Sequence, residues 1–464
     1  MTRTWLAYAA MLLAAIGLFF VIDAWGGRLT APPSTADETR GVTGPTGSSH
    51  AVAHVLLALT AVLITGRALG LVFRFLGQPP VIGEVVGGIL LGPSLLGRVW
   101  PEAAAFILPA SVAPHLGMIA QLGVILYMFL VGLELNPELL RERAHSTVAI
   151  SHASIILPFV SGAALALYLY PRLSSSAVPF TSFALFMGVA MSITAFPVLA
   201  RILTDRGIQK TQLGIVALGC AATDDVTAWC LLAFVVGVAQ AKIGGAFAVL
   251  GLTLAYIAVM FLFVRPAATR FFARYTAEDD LTPNLVALVF AALLISALVT
   301  EYIGIHAVFG AFLLGAVIPH DSPVARALTG RLEDLVTILL LPAFFAFTGM
   351  RTEIGLVSGY EQWLLCGLII LVATAGKFGG TLVAGRLTGL AWRDATALGL
   401  LMNTRGLMEL IVLNIGLDLN VISPTLFAMM VVMALVTTMA ASPLLALVSP
   451  VPRFNPASGE LNVS

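Results

Sequence analysis

The chain has 464 residues, of which 59% are hydrophobic and only 10% are Asp, Glu, Lys or Arg. Soluble globular domains carry about 25% charged residues, so this chain has too few polar side chains to cover a soluble enzyme. Basic and acidic residues number 24 each, for a net charge of +0, which excludes a basic surface that would bind nucleic acid. Apolar segments of about twenty residues recur along nearly the whole chain, and such segments cross a bilayer as helices. The composition therefore predicts an all-α polytopic membrane protein.

The N-terminal part of the chain differs from the rest. The apolar run in residues 1–25 predicts an extra transmembrane span, which acts as a signal anchor if it is kept. It is long for a signal peptide and lacks a clear A-x-A cleavage site, and this favours retention over cleavage. Residues 26–50 are rich in Gly, Pro, Ser and Thr, a composition typical of a flexible loop, here predicted to be extracytoplasmic.

Thirteen further spans are predicted within residues 51–448, followed by a short cytoplasmic tail at 449–464. About sixteen basic residues fall in one set of alternate loops and about six in the other, which predicts a cell-membrane protein with both termini cytoplasmic. The predicted spans are 51–73, 80–97, 116–134, 147–170, 180–200, 212–239, 245–264, 284–302, 304–319, 334–350, 361–385, 395–416 and 421–448.

The thirteen spans show a weak internal symmetry. The stretch GILLG at 88–92, in the second span, resembles AFLLG at 311–315 in the ninth, seven spans later. The fifth span is interrupted at 192–197 and the twelfth, again seven later, at 403–406. An odd offset implies two inverted six-helix repeats joined by the seventh span. Broken helices at matching positions of inverted halves indicate a transporter binding site, although Gly and Pro are common in membrane helices in any case.

Two adjacent aspartates, Asp224 and Asp225, lie inside the sixth span. A charge near the bilayer midplane is expensive, so such residues face a wet cavity or a partner. Neighbouring residues of a helix point about 100° apart, so the two carboxylates face different surroundings. Burial and a nearby like charge both favour the protonated acid. One carboxylate can therefore exchange a proton for a small cation, and with alternating access this competition produces antiport.

Other polar residues inside apolar spans complete the predicted site. Lys377 has no acidic neighbour in its own span, so Asp224 or Asp225 is its expected partner; the alternative is a lysine that snorkels to the interface. Arg405 and Glu409 share one helix face and predict a structural ion pair at the second break, in preference to a direct ligand role. Thr194, at the first break, offers a hydroxyl or frees a backbone carbonyl for the cation.

Several function classes are excluded or kept as alternatives. The three cysteines and seven histidines are scattered, without metal-ligand spacing, so no resident metal or cofactor is expected. The sequence offers no nucleophile–base pair at membrane depth, which argues against an enzyme. A cation channel or gated K⁺ efflux pathway of the same fold remains the alternative to an antiporter.

The motifs along residues 77–416 resemble, in order, those of the monovalent cation:proton antiporter-2 family, and the plant cation/H⁺ exchangers most of all. The matching stretches are GQPPVIGE at 77–84, GP at 92–93, FLVGLE at 129–134, TAFPVLAR at 194–201, TDD at 223–225, GK at 376–377 and NTRGLMEL at 403–410.

This resemblance implies a sodium/proton-antiporter fold, in which a six-helix core moves against a dimerisation domain, and a homodimer. It implies exchange of Na⁺ or K⁺ for H⁺, with Asp225 as the carrier of cation and proton. The preceding position is Asn or Asp in such proteins, and by analogy Asp224 here pairs with Lys377. Thr194 and Arg405 match the crossed, unwound helices around the site.

Overall fold

The regular structure of the chain is helical. The computed structural model describes residues 2–31, 51–109, 111–134, 144–209, 211–240, 243–274, 282–320 and 322–448, and no strand occurs in these ranges. Helices are expected because a segment inside a bilayer must satisfy its backbone hydrogen bonds internally. The predicted tail at 449–464 and most of the predicted loop at 26–50 lie outside the described residues.

The helices of the first half begin and end close to the predicted spans. They are α1 (Thr2–Gly26), α2 (Ala51–Phe75), α3 (Pro80–Leu91), α4 (Leu96–Val99), α5 (Pro101–Ile107), α6 (Ala113–Glu134), α7 (Ala144–Leu173), α8 (Phe180–Ser192), α9 (Phe196–Asp205) and α10 (Gln212–Gln240).

The second half repeats this pattern of long and interrupted helices. Its helices are α11 (Ile243–Val259), α12 (Arg265–Phe272), α13 (Pro283–Ile303), α14 (Ala307–Val317), α15 (Pro323–Leu335), α16 (Leu341–Met350), α17 (Gly359–Leu387), α18 (Trp392–Met402), α19 (Leu407–Asp418) and α20 (Pro424–Val448). A turn of π-helix joins α11 to α12, and another joins α15 to α16. Pro266 and Pro342 follow these turns; proline lacks an amide donor, and the wider turn accommodates the missing bond.

Each of the thirteen predicted ranges contains one helix or one pair of consecutive helices. In the described part of the chain, ten helices are long and apolar enough to cross a membrane, or eleven when the bent pair α18 and α19 counts as one span. Shorter apolar helices include α8, α14 and the Ala10–Gly26 part of α1. The prediction of an all-α polytopic fold is therefore confirmed.

The helices pack into two groups. The core bundle consists of α7–α10 with α17–α20, and α1 packs against its α7 and α8. The flanking bundle consists of α2–α6 with α11–α16. The two bundles meet where α11 packs against α10, where α19 faces α16 and where α20 faces the short 3₁₀ helix Ile354–Leu356. Contacts within a bundle are more extensive than contacts between them.

Close helix crossings in the flanking bundle follow the repeat offset. A Cβ on Gly88 of α3 would lie 2.5 Å from Ala346 Cα in α16, and a Cβ on Gly132 of α6 would lie 2.3 Å from the Phe312 carbonyl oxygen in α14. Glycine is required at both crossings because the backbones touch. The second span thus crosses the tenth, and the third crosses the ninth. With an offset of seven, the second span corresponds to the ninth and the third to the tenth, so the two crossings are equivalent.

Candidate ion-binding site

The two predicted helix breaks cross each other inside the core bundle. Residues 193–195 separate α8 from α9, and residues 403–406 separate α18 from α19, which bend by 42°. The Ala195 amide donates to the Thr404 carbonyl oxygen at 3.0 Å, so the broken backbones bind each other directly. Helix ends leave unpaired backbone groups, and this crossing gathers them at one place.

Asp224, in the middle of α10, accepts hydrogen bonds from two neighbouring helices and from the first break. Ser151 Oγ of α7 lies 2.5 Å from Asp224 Oδ1, and Ser154 Oγ lies 3.0 Å from Oδ2 and 3.3 Å from Oδ1. Thr194 Oγ1, at the first break, lies 2.8 Å from Oδ2. Lys377 Nζ of α17 lies 2.9 Å from Oδ2. The aspartate and its four partners are all 0% exposed.

Asp225 has different surroundings from its neighbour. It is also buried, yet its Oδ1 accepts no hydrogen bond from the described residues. A buried carboxylate oxygen without a donor is rare and needs an explanation. The geometry therefore separates the two carboxylates into one that is fully engaged and one that retains free binding capacity.

Two basic side chains satisfy the C-terminal end of α8. Lys377 Nζ donates to the Ser192 carbonyl oxygen at 2.5 Å. Arg405 Nη1 donates to the Ala190 carbonyl oxygen at 3.0 Å, and Nη2 to that of Met191 at 2.7 Å. The last carbonyls of a helix carry partial negative charge, so cations are stabilised there. These contacts hold the first break open beside the aspartates.

Arg405 and Glu409 form a buried ion pair at the second break. Arg405 Nη1 lies 2.7 Å from Glu409 Oε2, and neither side chain is exposed. Thr438 of α20 accepts from the Arg405 amide at 2.9 Å and donates to its carbonyl oxygen at 2.6 Å. The pair thus anchors the unwound segment to α8 and α20. Its predicted role in charge compensation stays a prediction.

We expect Glu409→Gln to destabilise the protein by about 3–5 kcal/mol, because Arg405 then remains as a buried charge without its counter-ion. The measurement is the melting temperature of the detergent-solubilised protein. Glu361→Gln, an exposed change in the first turn of α17, is the matched control and should have little effect. Equal melting temperatures for the two variants would contradict the role assigned to the pair.

The two serines were not among the residues predicted from the sequence. Ser151 and Ser154 lie three residues apart on one face of a largely apolar helix. That spacing is the only sequence signal, and it is weak because small hydroxyl residues are common where membrane helices pack.

A polar bridge joins the two bundles at the C-terminal end of α19. Arg351 Nη2, just after α16, lies 2.6 Å from Asp418 Oδ1, and Nη1 lies 3.0 Å from Asn414 Oδ1. Asn414 Nδ2 donates to Thr348 Oγ1 of α16 at 2.8 Å. We call these four residues the Arg351 bridge. A cavity of about 60 Å³ adjoins it between α6, α14, α16 and α19.

Comparisons with known proteins identify the family of this chain. A sequence profile described as "Sodium/hydrogen exchanger, transmembrane" matches residues 57–448. The chain belongs to the sodium/hydrogen exchanger family. This confirms the resemblance to monovalent cation:proton antiporters, and the relatives below are named as antiporters, not enzymes.

Two relatives illustrate the range of this family. The Na⁺/H⁺ antiporter NhaS4 of Synechocystis is 44% identical over 400 residues, which cover 86% of this chain and 98% of that protein. The K⁺/H⁺ antiporter 1 of Saccharomyces cerevisiae is 34% identical over 413 residues, covering 87% of this chain and 47% of the yeast protein. The chain thus spans about half the length of this second relative.

One solved structure has a similar fold. The sodium proton antiporter MjNhaP1 from Methanocaldococcus jannaschii superposes with a TM-score of 0.64 at 13% identity, and the match covers 85% of this chain and 96% of that one. This likeness confirms the predicted sodium/proton-antiporter fold.

Proposed function

We propose that this chain exchanges a monovalent cation, Na⁺ or K⁺, for H⁺, and that Asp225 carries both ions in turn. The observation that carries the proposal is the contrast between the adjacent aspartates: both oxygens of Asp224 accept hydrogen bonds, whereas Asp225 Oδ1 is buried without a donor among the described residues. Relatives named for Na⁺/H⁺ and for K⁺/H⁺ exchange support the reaction and leave both cations as candidates.

The chemistry of a buried carboxylate explains the coupling. An ionised carboxylate in a low-dielectric site requires a compensating positive charge. Either a proton or an alkali cation can supply that charge, and alkali cations prefer the hard oxygen ligands that carboxylates, hydroxyls and freed carbonyls provide. Either ion can neutralise Asp225, but both together leave excess positive charge. Exchange therefore follows from competition for one side chain.

Alternating access is the second part of the proposal. The crossed breaks and both aspartates belong to the core bundle, which meets the flanking bundle through limited contacts. A rigid core bundle that shifts against its neighbour would expose Asp225 to one side of the membrane and then to the other. The Arg351 bridge spans the two bundles, so it must open in one of these states.

The apparent KM for the transported cation should rise as pH falls, by about tenfold for each unit of pH within the acidic range, while the maximal rate reached at saturating cation changes much less. Protonation removes the ligand that the cation needs, so the two ions compete. The measurement is a matrix of Na⁺ and K⁺ concentrations against pH with purified protein in liposomes.

The same experiment separates the antiporter from a channel of the same fold. A KM that does not vary with pH would contradict competition at Asp225. Currents on a solid-supported membrane that persist with the proton gradient clamped, and that are insensitive to pH, would favour the channel.

Membrane placement and assembly complete the proposal. The excess of basic residues in alternate loops supports cytoplasmic termini in a cell-membrane protein. The family resemblance supports a homodimer and a single exchanger domain at residues 51–448, with α1 as an additional span outside it.

A further inference from the structure

Both oxygens of the Asp224 carboxylate accept hydrogen bonds. A carboxylate has two oxygens with about four acceptor positions in total. Ser151, Ser154, Thr194 and Lys377 place four donors within reach of them. Both oxygens of Asp224 are therefore engaged, Oδ1 mainly by Ser151 and Oδ2 by the other three donors.

The donors are not equivalent, because some serve a second acceptor. Lys377 Nζ also donates to Ser192 O, Thr194 Oγ1 also lies 3.1 Å from Met402 O, and Ser154 Oγ also lies 2.9 Å from Ser151 O. All three are within 3.0 Å of Oδ2. Asp224 Oδ1 depends on α7 alone: Ser151 lies at 2.5 Å and Ser154 at 3.3 Å. Without the two serines, Oδ1 would be an anionic oxygen that is buried and lacks a donor among the described residues.

We propose that Ser151 and Ser154 are positioning residues, which hold Asp224 so that only Asp225 is free to bind the transported cation. This inference rests on the proposed function and goes beyond it, because it assigns the choice between two adjacent carboxylates to hydroxyls on α7. A buried carboxylate needs a positively charged partner to compensate its charge. An Asp224 oxygen released from the serines would join the oxygen ligands of a cation at the neighbouring residue.

The double variant Ser151→Ala/Ser154→Ala tests the assignment through separate measurements of KM and kcat. A second carboxylate among the cation's ligands makes the cation bind more tightly and leave more slowly. KM and kcat should therefore both fall, by about three- to tenfold. General damage to the site would instead raise KM. Ser151→Thr/Ser154→Thr keeps both hydroxyls and should restore the original values.

Two controls separate a role through Asp224 from a change in helix packing. Ser161→Ala lies on the same helix, and its hydroxyl donates to carbonyls of that helix; it should leave KM and kcat unchanged. In an Asp224→Asn background, where the released group is no longer a carboxylate, the serine changes should have no further effect on KM.

A raised or unchanged KM in the double alanine variant, or an equal drop in KM in the Asp224→Asn background, overturns the assignment. If the double variant does not accumulate, Ser151→Ala alone, which removes the close donor to Oδ1, should show a smaller drop in KM, and its absence counts equally against the proposal. Retained exchange in Asp225→Asn would overturn the proposed function itself. An inactive Asp225→Asn with unchanged KM in the serine variants would overturn only this inference.

Discussion

Asp225→Asn is expected to reduce cation-dependent proton movement to the level of membranes without the protein. The amide has nearly the shape of the carboxylate, so the packing of α10 should survive. It carries no charge and takes up no proton near neutral pH, so it can neither compensate a cation nor return a proton. Collapse of an imposed pH gradient in everted vesicles, followed with a pH-sensitive dye on addition of Na⁺ or K⁺, is the measurement.

Two aspartate variants make this result specific. Asp394→Asn changes an exposed aspartate in the first turn of α18 and should leave exchange intact. Asp224→Asn should lower exchange without abolishing it, since an amide oxygen at the Oδ2 position still accepts from Thr194 and Lys377. Full activity in Asp225→Asn, or loss in Asp224→Asn as complete as in Asp225→Asn, would contradict the separate roles of the two side chains.

Cross-linking the two bundles at the Arg351 bridge is expected to stop exchange altogether. Thr348→Cys and Asn414→Cys would replace two side chains that lie 2.8 Å apart across the interface of α16 and α19. Mercuric ion, which bridges two nearby thiols, would tie the core bundle to the flanking bundle. Alternating access requires relative movement of these bundles, so exchange should fall to background and return when excess thiol removes the metal.

The cross-linking experiment needs a background without other thiols. Cys220, Cys230 and Cys366 are the three cysteines of the chain and are replaced by alanine first. Each single-cysteine variant, treated in the same way, controls for simple modification of the cavity beside the bridge. Undiminished exchange after complete cross-linking would show that the bundles need not separate, and would return the channel alternative to consideration.

The sequence by itself predicted the fold class and the residues most able to carry charge. Apolar runs of about twenty residues have one stable form in a bilayer, because their backbone groups find no water to bind. Against that background Asp224, Asp225, Lys377, Arg405 and Glu409 are conspicuous, since each is expensive to bury and therefore needs a partner. The two helix breaks were also visible, as Pro and Gly interrupt matching spans.

The tertiary structure decided which of these groups meet. The residues alone left both aspartates open as the partner of Lys377, and the family resemblance implied Asp224. The fold brings Lys377 to Asp224, 153 positions away. It also adds Ser151, 73 positions from Asp224, and places Arg351 against Asn414 and Asp418. Local patterns determine helices because a backbone bonds to itself within four residues. Contacts between distant spans depend on how whole helices cross and rotate against one another, which no short stretch of sequence encodes.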